Sequence, residues 1–181
     1  MMPERPPEKI ETNRLLLRKP MMEDASPIFQ LYAQDREVTR YLTFKPHSSI
    51  QATKDFLERC LHNWKNEKSF PWTIVRMKDN QLVGMVEIVN IDQTGVQIGY
   101  VLAKPYWGNG YMTEVLRKII DWGLKQKDIY RVWAICDFDN IASTRVMEKA
   151  GMQREGILRR WVILPNLGDE PRDCYCYSIV K

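Results

Sequence analysis

Residues Lys104 to Glu114 read KPYWGNGYMTE, a glycine-containing loop that runs directly into an apolar-periodic segment. A strand-like segment, Val96 to Leu102, comes just before the loop. Gly108 and Gly110 carry no Cβ, so the main chain can turn tightly there and a ligand can approach it closely. The first N–H groups of the predicted helix have no partner within the helix, and the helix dipole adds positive charge at that end. The loop therefore predicts an anion site that suits a phosphate or pyrophosphate group.

The composition is that of one globular domain. The chain has 181 residues, of which 44% are hydrophobic, which is enough for one full core. The formal net charge is +4, and acidic and basic residues are interspersed and do not form blocks. This charge suits an anionic ligand or an acidic partner, and no direct binding of nucleic acid is expected.

The cysteines indicate buried thiols and not a metal site. Cys60, Cys136, Cys174 and Cys176 have no Cys-x-x-Cys spacing and only two histidines accompany them, so no metal site is predicted. Cys174 and Cys176 alternate on a strand-like segment, where they face the same side and suit a reducing compartment. No apolar stretch reaches about 18 residues, and the start of the chain lacks the apolar region of a signal peptide. A cytoplasmic protein without a membrane segment is therefore expected.

Periodicity and turn residues predict an α+β domain. Residues 1–9 are rich in proline and charge, so we expect a disordered lead-in there and a single domain over residues 10–181. The predicted order of elements is β, α, α, β, β, β, α, β, α, β, β. The predicted strands cover residues 14–18, 72–77, 82–91, 96–102, 131–136, 152–164 and 172–180.

Polar residues predict where the helices begin and end. Asp24 is the predicted cap of the first helix, and residues 48–51 offer a capping box for the second. The chain between these helices, up to Pro46, reads as irregular. Asn140 caps the last predicted helix, which ends at Gly151, because glycine readily adopts the left-handed conformation found after helices.

Two motifs in this order resemble the GNAT superfamily of acetyl-CoA-dependent N-acetyltransferases. The first is the strand, glycine loop and helix described above, and the second is Asn140 to Met152, which reads NIASTRVMEKAGM. Further segments look like the RimJ/RimL branch of that superfamily: Glu11 to Arg18, Glu155-Gly156, Gly168, and Asp173 to Tyr177. The similarity spans about residues 10–181, nearly the whole chain.

The resemblance implies a fold and a reaction. The implied fold is an α/β/α arrangement around a central mixed, mostly antiparallel sheet of about seven strands, splayed beside the loop and helix that hold acetyl-CoA. The implied reaction moves an acetyl group from acetyl-CoA, a co-substrate used without a metal, to a primary amine by direct attack in a ternary complex. The acceptor is left open between a protein N-terminus, as on a ribosomal protein, and a small-molecule amine. Its specificity is expected in the loops around residues 34–47 and 161–172, and a homodimer is left open.

The resemblance also implies which residues hold the co-substrate. Trp107 to Met112 would form the pyrophosphate loop. Trp107 stands where the wider superfamily prefers a basic or amide residue, and Met112 stands where alanine or glycine would leave more room beside the phosphates. The pantetheine arm would bond main-chain groups in a gap beside the strand that begins at Arg131. The implied cofactor-binding residues are Tyr100, Val101, Leu102, Trp107, Gly108, Asn109, Gly110, Tyr111, Met112, Asn140 and Ser143.

Acetyl transfer to an amine needs a stabilised oxyanion, a proton for the leaving thiolate and a base for the amine. A main-chain N–H near Tyr100 or Val101 would serve the oxyanion. Ser143 occupies a place where the branch uses serine near the sulfur, and the alternative is a role at the helix terminus alone. Many GNAT enzymes carry a glutamate where this chain has Gln97, so Glu87 on the neighbouring strand is the predicted base. The alternatives are a water chain and a solvent-facing Glu87.

Two further alternatives concern the acceptor and the activity. Asp137 and Asp139 could attract a cationic acceptor, and Trp161 could line its entrance. Because Gln97 cannot accept a proton, the second interpretation of the whole chain is a catalytically weak CoA-binding sensor or interaction module. Acetyl transfer across a panel of amines would distinguish this module from an enzyme.

Overall fold

The computed structural model describes residues 5–91 and 95–181. Its strands are β1 (Lys9–Glu11), β2 (Leu15–Arg18), β3 (Phe70–Arg76), β4 (Gln81–Ile91), β5 (Gly95–Leu102), β6 (Arg131–Asp137), β7 (Gln153–Ile163) and β8 (Pro171–Val180). They form one eight-stranded sheet in the order β1-β2-β3-β4-β5-β6-β8-β7. All neighbours pair antiparallel except β5 and β6, which are parallel. The predicted mixed, mostly antiparallel sheet is confirmed.

The sheet has one strand more than the sequence predicted. The additional strand is β1, which pairs Lys9 to Glu11 with the end of β2. It has three residues and buries only Ile10, so it carries too little periodicity to predict. The predicted disordered lead-in over residues 1–9 is therefore too long, because Lys9 already belongs to β1 and Pro7 contacts the domain. Pro7 accepts a hydrogen bond from the Trp72 indole at 3.0 Å. Residues 1–4 lie outside the described residues, and for them the lead-in stays a prediction.

The helices are α1 (Ala25–Ile28), α2 (Arg36–Thr39), α3 (Ile50–Lys65), α4 (Tyr111–Lys125) and α5 (Ile141–Lys149). A π-helical turn, Phe29–Ala33, continues α1. Helix α2 lies in the segment predicted to be irregular, where the Asp35 carboxylate accepts hydrogen bonds from Glu37 N and Val38 N. This cap stabilises a helix too short to show a period in the sequence. No helix in residues 5–91 and 95–181 is long and apolar enough to cross a membrane.

The predicted cap at Asp24 is wrong. Asp24 precedes α1, but its side chain makes no cap hydrogen bond there. The buried carboxylate instead pairs with Arg18 at 2.6 Å and accepts a hydrogen bond from the Thr73 hydroxyl at 3.0 Å. An unpaired buried carboxylate costs more free energy than an uncapped helix start, so the Asp24 side chain pairs with Arg18.

The start of α3 also differs from its prediction, whereas the end of α5 does not. Ser49 and not Ser48 caps α3, and Gln51 donates to Asp55, so no capping box forms. Gly151 follows α5 with a φ of +99° and donates its N–H to the Glu148 carbonyl at 3.0 Å. The predicted glycine ending of α5 is therefore confirmed.

Two apolar clusters cover opposite faces of the sheet. The larger packs α4 and α5 onto one face and includes Ile98 of β5 with Leu116 of α4. The smaller packs α1 and α3 onto the other face and includes Met85 of β4, against which Val101 packs. Strand side chains alternate between faces, so Ile98 and Tyr100 face α4 and α5, whereas Val101 faces α3. This is the predicted α/β/α arrangement.

Candidate active site

The sheet opens between β5 and β6. Their parallel pairing runs only from Gly95 and Arg131 to Gln97 and Trp133. Beyond that point β5 stays paired with β4 as far as Leu102, while β6 stays paired with β8. The two strands therefore diverge, and their facing edges border a gap that leads to the glycine loop.

Main-chain orientation decides which β5 residues can serve a ligand in this gap. Ala103 donates its N–H to β4 at 2.9 Å. Because successive strand residues point their main-chain groups to opposite neighbours, those of Tyr100 and Leu102 face the gap. Those of Val101 face β4, and a Cβ on Gly84 would lie only 2.2 Å from the Val101 carbonyl oxygen. The predicted ligand contact of the Val101 main chain does not fit this geometry, because pairing with β4 uses those groups.

The glycine loop has the conformation that its glycines allow. Gly108 and Gly110 have φ values of +74° and +73°, in the left-handed region that favours glycine. Gly110 is the first residue before α4, so the unpaired N–H groups of the helix follow it directly. Asn109 stabilises the turn by donating its amide to the Tyr106 and Trp107 carbonyls at 3.2 and 3.0 Å.

The aromatic and methionine side chains of the loop do not all face outward. Trp107 is half exposed, and its indole donates to the Leu102 carbonyl at 2.6 Å, which ties the loop to the end of β5. Tyr111 and Met112 are buried in the larger apolar cluster. Met112 therefore does not crowd the outer side of the loop, contrary to the prediction, and both residues can contribute only their main chain to an anion site.

Ser143 lies over the gap, between one residue from each bordering strand. Its Oγ is 2.6 Å from the hydroxyl of Tyr100 on β5. Although burial raises the pKa of the Cys136 thiol on β6, the Ser143 hydroxyl is close enough to that thiol to oppose the shift. Burial raises the pKa of the Tyr100 phenol, so this group stays protonated and Ser143 has a neutral partner. The sequence does not predict the contact between the Tyr100 and Ser143 side chains, because the resemblance gives a role only to the main chain of Tyr100.

The cap of α5 leaves the Ser143 hydroxyl available. Asn140 Oδ1 accepts from Ser143 N at 3.2 Å, so the cap uses the main chain of Ser143 and not its side chain. Asn140 Nδ2 stays free of this cap for the implied pantetheine contact. Burial raises the pKa of the Cys136 thiol, which keeps it protonated and a poor nucleophile.

Glu87 lies on the opposite face of the sheet from Ser143, so the structure does not bring the two predicted catalytic residues into contact. It is half-buried against α3, and Ser69 donates a hydrogen bond to it. Burial raises the pKa of the Glu87 carboxyl, and the Ser69 hydrogen bond partly opposes that shift. A raised pKa suits a carboxylate that must accept a proton.

Gly99 lies between Glu87 and the gap, and the Val89 side chain borders the space beside it, 3.1 Å from the position of a Cβ on Gly99. The cross-strand partner of Glu87 on β5 is Gly99, which has no side chain. Gln97, two residues earlier on the same face, forms the last pair with β6. Neighbouring strands are about 5 Å apart, so a water beside Gly99 could link Glu87 to a group at the edge of the gap.

Asp137 and Asp139 do not form a free anionic site. Arg172 bonds the buried Asp137 carboxylate at 2.5 and 3.1 Å and Asp139 at 2.8 Å. Arg172 offsets one of the two carboxylate charges, and the Asp139 side chain is 69% exposed. Attraction of a cationic acceptor therefore stays a prediction, for Asp139 and not for the buried Asp137.

The two loops predicted to set acceptor specificity meet in space. Asn166, in the turn between β7 and β8, donates its amide to the Thr39 carbonyl at 2.7 Å and to the Phe44 carbonyl at 2.8 Å. Tyr41 donates to the Asp139 carbonyl at 3.2 Å, next to the start of α5. Beside this junction lies a cavity of about 560 Å³, lined by Phe138, Asp139, Arg160 and residues 167–173.

The residues around the gap fit acetyl-CoA. A Cβ on Gly108 would meet nothing within 4 Å, so the space outside the loop is open to a pyrophosphate. The main chain of Tyr100 faces the gap where an extended arm could pair with it. Within residues 5–91 and 95–181, no group of three or more His, Cys, Asp or Glu residues could hold a metal ion.

Comparisons with known proteins agree with this geometry. A family model described as acetyltransferase (GNAT) domain matches residues 14–153. The chain is similar to the N-acetyltransferase YoaA of Bacillus subtilis (strain 168), with 32% identity over 174 residues, 95% of this chain and 96% of YoaA. Several other similar proteins are also named N-acetyltransferases.

Solved structures show the same fold. The microcin C7 self immunity acetyltransferase MccE, in complex with acetyl-CoA and AMP, has a TM-score of 0.87 at 24% identity over 98% of both chains. The ribosomal L7/L12 alpha-N-protein acetyltransferase RimL, in complex with coenzyme A, has a TM-score of 0.83 at 21% identity over 96% of this chain and 98% of that one. The family model and the similar N-acetyltransferases confirm the prediction of an enzyme. The chain belongs to the acetyltransferase (GNAT) domain family and is an N-acetyltransferase.

Proposed function

We propose that this N-acetyltransferase moves the acetyl group of acetyl-CoA to a primary amine by direct attack in the gap between β5 and β6. The observation that carries the proposal is the position of Ser143, between Tyr100 of β5 and Cys136 of β6, where the two strands part. Acetyl-CoA, when bound, supplies the acetyl group as a thioester. The protonated Cys136 favours direct transfer over a cysteine-linked route.

Each step of the proposed reaction is assigned to a residue or a main-chain group of this protein. The glycine loop and the N-terminus of α4 bind the pyrophosphate, and the main chain of Tyr100 binds the extended arm. The Tyr100 N–H lies where it can donate to the carbonyl oxygen of the acetyl group. The Ser143 hydroxyl donates a proton to the leaving sulfur, and Tyr100 orients that hydroxyl. Glu87 accepts the proton of the amine through a water beside Gly99.

The proposal is tested by acetyl transfer from acetyl-CoA to a panel of amines, with release of free thiol as the readout. The panel contains peptides that begin with serine or alanine, polyamines and aminoacyl nucleotides. We expect saturable acetyl transfer to at least one class of amine. With acetyl-CoA labelled in the acetyl group, no label should stay on the protein after denaturation. A protein that binds CoA but transfers to none of these amines would contradict the proposed reaction.

For the acceptor, we propose the N-terminal amine of a protein. RimL acts on such an amine, according to its name, and the cavity of about 560 Å³ beside the predicted acceptor loops is open to solvent, which suits a peptide end. MccE, solved with AMP, gives the second candidate, a small molecule that carries a nucleotide. A higher kcat/KM for the peptides than for the nucleotides in the panel would favour the first candidate.

Replacing Glu87 tests the proposed base through pH. Because burial raises its pKa, kcat/KM should rise as Glu87 loses its proton, at a pH above the ordinary carboxyl value of about 4.3. Glu87→Gln should remove this lower limb and leave only the titration of the amine, whose pKa is about 10 for an alkyl amine. Ser69→Ala removes a hydrogen bond that lowers the Glu87 pKa, so it should shift the limb to higher pH. An unaltered profile in both variants would assign proton removal to water alone.

Replacing Asn166 tests the junction of the two acceptor loops. Asn166→Asp places a carboxylate oxygen against the Thr39 and Phe44 carbonyls, so the loops should separate. We expect the KM for the acceptor to rise by up to about thirtyfold, since two hydrogen bonds of about 1 kcal/mol each are lost, while the KM for acetyl-CoA stays unchanged. Asn80→Asp makes the same change in the exposed turn between β3 and β4, away from this junction, and is the matched control. If the parent and Asn166→Asp have equal KM values for the acceptor, the junction of the two loops does not contribute to acceptor binding.

A further inference from the structure

Arg14 reaches the glycine loop from the opposite end of the sequence. It lies just before β2, and its Nη1 donates to the Asn109 carbonyl at 3.1 Å. Its guanidinium lies 4.5 Å from the centre of the Tyr111 ring. A Cβ built on Gly110 would be 3.7 Å from Arg14 Nη2. The positive charge of Arg14 is therefore held beside the main chain where α4 begins.

Glu114 holds this guanidinium in place. The Arg14 Nε bonds Glu114 Oε2 at 2.7 Å, and the Arg14 N and the Thr12 hydroxyl bond Oε1 at 2.9 and 2.6 Å. Partial burial acts to raise the pKa of the Glu114 carboxyl, but these hydrogen bonds outweigh it and hold the pKa below its usual range. Glu114 is thus ionised at neutral pH, and Arg14 neutralises a charge that would otherwise oppose an anion at the helix start.

One side of the guanidinium remains available. Nε and Nη1 are bonded to Glu114 and Asn109, whereas Nη2 has no hydrogen-bond partner among residues 5–91 and 95–181. The Arg14 side chain is 47% exposed. A cavity of about 580 Å³ opens beside it, bordered also by Gly110, Thr113 and Arg117. A planar guanidinium with two bonded nitrogens presents its remaining donors in one direction, which suits a phosphate oxygen.

The loop itself lacks such a cation. Trp107 occupies the loop position where the family prefers a basic or amide residue. Lys104, the one basic residue between β5 and α4, forms an ion pair with Glu37. Arg76 also contacts Tyr106, with its guanidinium 4.9 Å from the ring centre, but it is paired with Asp79 at 2.6 Å. Arg14 is the cation that bonds a main-chain carbonyl of the loop, that of Asn109.

We propose that Arg14 is a ligand of the CoA pyrophosphate, with Nη2 as donor, and that it supplies from the start of β2 the charge that Trp107 does not supply from the loop. The inference rests on the proposed binding of acetyl-CoA at the glycine loop. A purely structural ion pair between Arg14 and Glu114 is the alternative, and it predicts that removal of either partner has the same effect.

Calorimetry on the full chain tests the inference with three ligands: CoA, dephospho-CoA, which lacks the 3′-phosphate, and pantetheine, which lacks all phosphates. Arg14→Met keeps an apolar stem of similar length and removes the charge. We expect it to weaken CoA and dephospho-CoA about tenfold each, the effect of one charge-assisted hydrogen bond, and to leave pantetheine unchanged. Glu114→Gln removes the same ion pair but keeps the Arg14 charge, so its CoA affinity should stay within about twofold of the parent or increase.

Four outcomes decide the inference. A penalty in Arg14→Met that disappears with dephospho-CoA would place Arg14 on the 3′-phosphate and overturn the pyrophosphate assignment. Equal losses in Arg14→Met and Glu114→Gln, or equal affinities in parent and Arg14→Met, would reduce Arg14 to a structural role. Thermal unfolding of both variants controls for the shared loss of the ion pair. A parent chain that binds no CoA would instead overturn the proposed function.

Discussion

Gly110→Val is expected to abolish CoA binding while leaving the fold intact. Gly110 has a φ of +73°, a conformation that costs an ordinary residue about 1–2 kcal/mol and a β-branched residue more. The variant can relieve that cost by rotating the main chain, which would turn the first N–H groups of α4 away from the pyrophosphate. A Cβ would meet Arg14 at 3.7 Å, an ordinary contact, so no clash forces a wider rearrangement. Titration calorimetry with CoA measures the loss.

Gly168→Val is the matched control for this variant. Gly168 also has a positive φ, +135°, and a Cβ there would meet nothing within 4 Å, but it lies in the turn between β7 and β8. Its substitution should cost stability without changing CoA affinity. A folded Gly110→Val protein with the parental affinity for CoA would show that the loop main chain does not hold the ligand.

Ser143→Ala is expected to lower kcat about a hundredfold with little change in the KM for acetyl-CoA. The leaving thiol has a pKa near 8.5, and a proton delivered to it in the transition state is worth about a hundredfold or more. A group that acts mainly in the transition state affects kcat more than ground-state binding. The helix start should survive, because its cap uses the Ser143 N–H and not the hydroxyl.

Two companion variants separate the possible roles of this hydroxyl. Thr144→Val removes a neighbouring hydroxyl that bonds the Asn140 carbonyl and Cys136, and it should leave kcat near the parental value. Tyr100→Phe removes the phenol 2.6 Å from Ser143 and should lower kcat by a smaller factor. If Tyr100 acts only through Ser143, the double variant should be no slower than Ser143→Ala alone. If Ser143→Ala has the parental kcat at saturating substrate, Ser143 serves only to cap the start of α5 through its N–H.

Local chemistry made the glycine loop and both ends of α5 predictable, but not the starts of α1 and α3. The positive φ values at Gly108 and Gly110 and the Gly151 ending of α5 follow from what glycine permits within a few residues. Strands β3, β4 and β5 follow from alternation and turn residues in the same way. β1 and α2 were missed because three or four residues carry no measurable period.

The main-chain roles within β5 could not be predicted from residue types. Every strand residue has an N–H and a carbonyl, and the pairing with β4 decides which of them remain for a ligand. Because of that pairing, the main-chain groups of Tyr100 face the gap, whereas those of Val101 face β4. Met112 likewise turned inward because α4 packs that face onto the sheet.

The sequence by itself determined the family and the conformation of the glycine loop, since both depend on runs of neighbouring residues. Only the tertiary structure decided which distant side chains complete the site. Tyr100 and Ser143 are 43 positions apart, Arg14 and Asn109 are 95 apart, and Asn166 and Thr39 are 127 apart. Such pairs depend on strand order and on the face to which each side chain points. Both are set by burial of the two apolar clusters, a property of the whole fold and not of any one segment.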